Sequence, residues 1–141
     1  MDIFLDGSIA KSISFISSLL ALGTFFVALS TNKKVRQSSD AKKNLFENVD
    51  EIKGELDFYR FLFITPDEFN HETKCAFSNY LSNFYERYKD ILRKRTKLNI
   101  YWIKHLLTKE KLTNKEIIKL TNSIGTLSVQ IRKDAEPTWN K

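Results

Sequence analysis

Residues 13–31 decide the architecture of this chain. They read ISFISSLLALGTFFVALST and contain no charged residue. At about 1.5 Å of rise per residue, a helix of this length covers roughly 28 Å, which is close to the hydrocarbon thickness of a bilayer. The stretch therefore predicts a single transmembrane helix within an N-terminal segment of residues 1–34.

The charges around this stretch predict its orientation. Lys33 and Lys34 follow it, whereas Asp2 and Asp6 precede it. Because positively charged flanks stay in the cytoplasm, we expect a single-pass cell-membrane protein with its N-terminus outside and its larger part in the cytosol. The alternative is a cleaved signal peptide, for which residues 28–30 have a suitable small-residue spacing, but the acidic start of the chain disfavours it.

Small residues recur along this helix in alternating steps of three and four. Lipid provides no hydrophobic reason for helices to associate, so close approach through small residues and hydroxyl groups drives their pairing instead. We interpret this face as an association surface, although its hydroxyl groups also suit a narrow polar pore in an oligomer. This membrane seam comprises Gly7, Ala10, Ser14, Ser17, Ala21, Thr24, Ala28 and Thr31.

The same register continues beyond the membrane with large apolar side chains, which need burial in water. It predicts one continuous helix over residues 7–63, including a juxtamembrane, coiled-coil-like segment at residues 35–64. The alternative is two helices with a hinge at residues 31–40. The cytosolic seam, a second expected contact surface, comprises Leu45, Val49, Ile52, Leu56, Tyr59 and Phe63.

Two capping boxes predict where later helices begin. They lie at residues 65–68 and 113–116, and each has threonine first and glutamate last. Apolar stripes with helical spacing follow both boxes, and no strand pattern is present. We therefore expect an all-α protein whose cytosolic helical domain, residues 65–134, forms a small antiparallel bundle. Residues 135–141 are expected to form a tail, with fraying from Asp134 onward.

The sequence offers no catalytic constellation. Asp67, His71 and Cys75 share a helical face, but zinc requires further ligands from a second element, and we favour an ordinary exposed face. A single cysteine excludes an internal disulfide. We therefore expect a non-enzymatic protein with no metal, cofactor or small-molecule substrate.

A basic cluster lies beside Tyr101 and Trp102. In a chain of net charge +6, it suits anionic lipid headgroups or nucleic-acid phosphates, although a solvated helical face is the simpler interpretation. Membrane lipid is the favoured anionic partner, and nucleic acid is disfavoured. The cluster comprises Arg93, Lys94, Arg95 and Lys97.

These features predict a membrane-anchored interaction protein or accessory subunit. It would associate with itself or with another membrane protein, using the membrane seam and the cytosolic seam as contacts. The alternative function is an oligomeric, membrane-perturbing effector that forms pores, as toxins and holins do.

Overall fold

The structure is a computed structural model that describes residues 2–65 and 69–136, with side chains from Ser14 onward. In these ranges the chain is helical and contains no strand, so the all-α prediction is confirmed. The chain divides into two compact units, Met1–Gln37 and Ser38–Lys141. The helices are α1 (Asp2–Glu47), α2 (Val49–Ile64), α3 (His71–Tyr88), α4 (Lys94–Leu107) and α5 (Asn114–Ala135).

Helix α1 contains the predicted span. It is long and apolar enough to cross a membrane, and residues 14–40 are all exposed. Because α1 ends only at Glu47, no helix terminus falls at residues 31–40, and the alternative with a hinge there is wrong.

The prediction of one continuous helix over residues 7–63 is also wrong, because the helix breaks at Asn48. This residue has φ −101° and ψ 7°, and its side-chain Nδ2 donates to the Asn44 carbonyl oxygen at 2.7 Å. Asparagine side chains often compete in this way with backbone hydrogen bonding. The helical register nevertheless carries over, since Asn48 N donates to Asn44 O and Ile52 N donates to Asn48 O.

Helices α2 to α5 pack around one hydrophobic core. Helix α5 packs most extensively against α2 and also contacts α4, while α3 contacts α4 and, over a smaller area, α2. Each of the four helices therefore contacts two others, in the order α2, α3, α4, α5 and back to α2. The largest fully buried side chains are Leu45, Leu56, Phe63, Phe77, Leu81, Ile100, Ile103, Leu106, Leu120, Ile124, Leu127 and Ile131.

An aromatic cluster joins α2 to α3 inside this core. The Phe77 ring centroid lies 4.6 Å from that of Tyr59 and 5.4 Å from that of Phe63. Phe63 also contacts Phe69 edge-on, with 5.4 Å between the ring centroids. Such tilted and edge-to-face arrangements stabilise aromatic pairs beyond the area that they bury.

The first predicted capping box does not begin α3. Residues 66–68 of this box lie outside the described residues, and α3 begins at His71. Its N-cap is Asn70, whose Oδ1 accepts a hydrogen bond from Thr73 N at 2.8 Å. The helix therefore begins later than the sequence predicts, because an asparagine side chain satisfies its first free N–H groups.

The second predicted capping box is confirmed at the start of α5. Thr113 Oγ1 accepts from Glu116 N at 3.3 Å, and Glu116 Oε2 accepts from Thr113 N at 2.9 Å. Lys109 Nζ also donates to the Glu116 carboxylate. The hydrogen bond from Lys109, helped by the one from Thr113, lowers the pKa of Glu116 from 4.5 to about 2.

This lowered pKa predicts an acid-dependent loss of stability. The Glu116 carboxylate stabilises the fold above its unfolded pKa of 4.5, and this contribution disappears as the pH falls towards 2. We expect Glu116→Gln to lose less stability than wild type between pH 5 and pH 2, measured by urea unfolding in detergent micelles. Glu110→Gln, in the same loop region, is the control. An identical pH profile for Glu116→Gln and wild type would contradict the assignment.

Two helical glycines provide a second stability test. A Cβ atom at Gly54 would meet nothing within 4 Å, whereas at Gly125 it would lie 3.4 Å from Arg60 Nη1. Gly54→Ala should therefore raise the free energy of unfolding by about 0.5–1 kcal/mol, since alanine favours the helix. Gly125→Ala should gain a similar amount, because the new Cβ atom would make only an ordinary van der Waals contact with the Arg60 guanidinium. Urea unfolding in detergent tests both variants, and a less stable Gly54→Ala protein would refute the expectation.

Candidate functional site

The membrane seam lies exposed on α1. Its described members, from Ser14 to Thr31, are all exposed, whereas Gly7 and Ala10 lie outside the residues whose side chains are described. The steps of three and four place these members on one side of the helix. Unit 1 therefore presents a face of small side chains opposite a face of bulky ones, which includes Phe15, Leu22 and Phe26.

Hydroxyl groups on the seam bond to the backbone of α1 itself. Thr24 Oγ1 donates to Ala21 O at 2.9 Å, and Thr31 Oγ1 donates to Val27 O at 2.8 Å. A hydroxyl proton in lipid has no water to bond, so these internal bonds remove the cost of placing a threonine there. Both threonines can consequently pack in a dry interface without needing a water-filled lumen.

A shallow apolar groove borders the seam. Gly23 lies within it, and a Cβ atom there would meet nothing within 4 Å, so the backbone is open to close approach. Sequence analysis missed Gly23 because it lies one position before a seam residue. The groove is lined by Leu19, Leu20, Gly23, Thr24, Val27 and Ala28.

The cytosolic seam lies inside the second unit. Leu45, Ile52, Leu56 and Phe63 are buried in its core. The two remaining seam residues, Val49 and Tyr59, are partly buried and pack against the same core. These side chains are covered by their own chain. They therefore pack inside the second unit, instead of forming the expected second contact surface for a partner.

One member of the basic cluster, Arg93, joins α4 to the end of α5. Its backbone N donates to Asp134 Oδ2 at 3.1 Å, and its Nε lies 3.2 Å from Asp134 Oδ1. Thr96 Oγ1 donates to the same Oδ2 at 2.6 Å. The buried Asp134 carboxylate thus caps the N-terminus of α4, where Arg93, the N-cap residue, makes no side-chain cap of its own.

This arrangement corrects the expectation that the chain frays from Asp134 onward. Asp134 and Ala135 are both buried, and α5 continues to Ala135. Residues 137–141 of the predicted tail lie outside the described residues. Sequence analysis missed Asp134 because its partners are about forty positions away, and no local pattern connects them.

The other members of the basic cluster have different environments. Lys94 and Arg95 are exposed in the first turn of α4, and Lys97 is half-buried. The nearby Lys104 Nζ donates to Ser82 Oγ at 2.8 Å and joins α4 to α3. Lys94 and Arg95 are therefore exposed, while Arg93, although also exposed, pairs with Asp134.

Lys74, after Gly23 and Asp134, is a third residue that was not predicted from the sequence. It is buried, its Nζ donates to the carbonyl oxygens of Lys109 and Glu110 at 2.8 and 3.0 Å, and it lies 5.7 Å from the centroid of the Phe69 ring. It therefore fastens α3 to the connection between α4 and α5. The available signal was its position three residues before Phe77, on the face that α3 buries.

The groups considered for metal binding do not form a ligand cluster. His71 Nε2 lies 3.4 Å from Cys75 Sγ on an exposed surface, and Asp67 lies outside the described residues. Among the described residues, no group of three or more His, Cys, Asp or Glu side chains could hold a metal ion.

A groove of about 230 Å³ is lined by residues of α2 and α3, among them Glu51, Glu55, Tyr80 and Arg87. Burial, assisted by the negative charge of Glu55, raises the pKa of Tyr80. The raised pKa keeps the Tyr80 phenol uncharged well beyond neutral pH.

The chain matches no protein-family model, no curated protein and no solved structure.

Proposed function

We propose that this protein is a non-enzymatic, membrane-anchored helical protein that associates with itself or with another membrane protein. The observation that carries the proposal is the exposed membrane seam of α1, whose threonine hydroxyls bond to their own helix. Small side chains allow two helix backbones to approach closely, and the adjacent groove can receive a bulky side chain from a partner helix. Association through α1 would make this protein an interaction module or accessory subunit.

The proposed topology places the second unit in the cytosol. Lys33, Lys34 and Arg36 follow the apolar stretch, which supports a cytoplasmic location for everything beyond it. In this topology α1 crosses the cell membrane once, with the N-terminus outside. We further propose that α2 to α5 run antiparallel to their neighbours, as short connections between packed helices favour.

Cysteine crosslinking in native membranes tests this function. In a Cys75→Ser background, single cysteines at positions 14, 21 and 28 should crosslink to a second copy or to a partner protein. Cysteines at positions 15, 22 and 26, on the opposite face, are matched controls. Positions 20 and 27 are not used as controls, because Leu20 and Val27 line the groove beside the seam and could also contact a partner helix. Equal crosslinking on both faces would overturn the proposed seam, and crosslinking at none of these positions would exclude self-association through it.

Bulky substitutions on the seam give a quantitative prediction. Ala21→Leu combined with Ala28→Leu should abolish most of the associated species in detergent, because two leucine side chains prevent close backbone approach. Ser18→Leu with Ser30→Leu adds comparable bulk away from the seam and should leave association intact. Analytical ultracentrifugation measures the distribution. Unchanged association of the Ala21→Leu, Ala28→Leu variant would show that other surfaces hold the complex together.

Ion flux separates this proposal from the pore-forming alternative. Vesicles that contain the protein at high density should retain their ions if the seam packs dry. A leak that disappears in the Ala21→Leu, Ala28→Leu variant would instead favour the toxin- or holin-like function.

A further inference from the structure

An exposed amphipathic face of α4 remains unexplained by packing. Leu98 is 67% exposed, Tyr101 73% and Trp102 46%, although the opposite side of the helix is buried in the core. Spacings of three and four place these side chains on one side of α4, with Lys94 and Arg95 one turn before them. The α4 face comprises Lys94, Arg95, Leu98, Tyr101 and Trp102.

The two positive charges of this face lie at the end of α4 where cations do not stabilise a helix. Lys94 and Arg95 occupy the first turn of α4, which contains no acidic residue. The N-terminal end of a helix carries a partial positive charge, so cations there are unfavourable. The buried Asp134 carboxylate already supplies negative charge at this end of α4, so the attraction for an external anion comes from the exposed Lys94 and Arg95 side chains rather than from the helix dipole.

The neighbouring apolar side chains indicate what kind of anion this is. Tyrosine and tryptophan favour the boundary between headgroups and acyl chains, because their rings are apolar and their O–H or N–H groups are polar. Cations beside them are attracted to anionic lipid headgroups near the membrane surface. Leu98 adds apolar area that a headgroup layer can bury and that dissolved phosphate cannot.

We infer that the α4 face docks on the surface of an anionic lipid bilayer, with Trp102 and Tyr101 at the headgroup boundary and Lys94 and Arg95 among the phosphates. The inference rests on the proposed membrane anchorage, which keeps the second unit at a high effective concentration near a bilayer. Docking would give the cytosolic unit a second, charge-dependent attachment to lipid, sensitive to the content of anionic lipids.

Trp102 is the reporter for this docking. In a Trp139→Phe background, the full chain is reconstituted into phosphatidylcholine vesicles with or without phosphatidylglycerol. Phosphatidylglycerol should shift the Trp102 emission to shorter wavelength, and lipids brominated near the headgroup should quench it. Lys94→Glu with Arg95→Glu should abolish both effects. Lys115→Glu with Lys119→Glu changes the net charge equally on exposed positions of α5 and should preserve them.

Each remaining outcome would overturn the inference. Trp102 emission that is the same in neutral and anionic vesicles would exclude docking on lipid charge, as would an emission shift that survives the Lys94→Glu, Arg95→Glu change. A shift produced by single-stranded oligonucleotide but not by anionic vesicles would assign the α4 face to nucleic acid instead. Resistance to extraction by alkaline carbonate reports the anchorage separately, so failure of anchoring and failure of docking are distinguishable.

Discussion

Phe77→Ala is expected to lower the free energy of unfolding of the second unit by about 3–5 kcal/mol. The Phe77 side chain is fully buried, and its ring contacts those of Tyr59 and Phe63. Truncation removes this apolar area and leaves a cavity between α2 and α3, which pack against each other less extensively than the other contacting helix pairs do. A loss of this size is a large fraction of the stability of a domain, so partial unfolding at 37 °C should follow.

Exposed phenylalanines provide the matched control for this loss. Phe58 and Phe61 are 55% and 65% exposed on α2, the helix that packs against Phe77. Phe58→Ala and Phe61→Ala should each change the free energy of unfolding by less than about 0.5 kcal/mol. Urea unfolding of the full chain in detergent micelles, followed by circular dichroism, compares the three variants. Equal losses would mean that the described core is not the one that stabilises the protein.

Asp134→Ala is expected to lower the free energy of unfolding by about 2–3 kcal/mol. The change removes the cap of α4, which is typically a contribution of about 1 kcal/mol. It also leaves the buried Thr96 hydroxyl without its acceptor, which costs about 1–3 kcal/mol. Because the carboxylate accepts the Arg93 N–H at the start of α4, we also expect its removal to speed amide hydrogen exchange in the first turn of α4.

Substitution of Arg93, which pairs with Asp134, should destabilise the protein less than substitution of Asp134 itself. The Arg93 side chain is 65% exposed, so water screens its end of the ion pair, and the buried Asp134 carboxylate still accepts from Arg93 N and Thr96 Oγ1 when that side chain is removed. Arg93→Ala should therefore cost less than about 1 kcal/mol, even though it breaks the same ion pair. Asp134→Asn keeps an acceptor oxygen and should fall between the two. If Arg93→Ala and Asp134→Ala were equally destabilising, the ion pair rather than the cap would be the dominant interaction.

The helices could be predicted from the sequence because their information is local. The apolar stretch at residues 13–31, the spacing of the cytosolic seam and the capping box at Thr113 each lie within a few turns. The break at Asn48 escaped the same reasoning, because an asparagine is compatible with a helix, and no local pattern shows that its amide will bond to the Asn44 carbonyl beside the backbone N–H. Hydrophobic periodicity continues through that residue and so gives no sign of the interruption.

The candidate surfaces were harder to predict, because a pattern of side chains does not say what covers it. The membrane seam and the cytosolic seam share one register, yet the first is exposed and the second is buried by its own chain. The basic cluster similarly divides into Arg93, which joins Asp134, and the exposed Lys94 and Arg95. These distinctions depend on contacts between residues that are distant in the sequence.

The contact between α2 and α5 also has a consequence for the order of events during synthesis. Helix α2 ends at Ile64, whereas its main packing partner begins at Asn114. At usual translation rates the ribosome needs roughly 3–10 s to add the intervening residues. The apolar stripe of α2 is therefore made well before the helix that covers it, and it stays uncovered until residues 114–135 have been added.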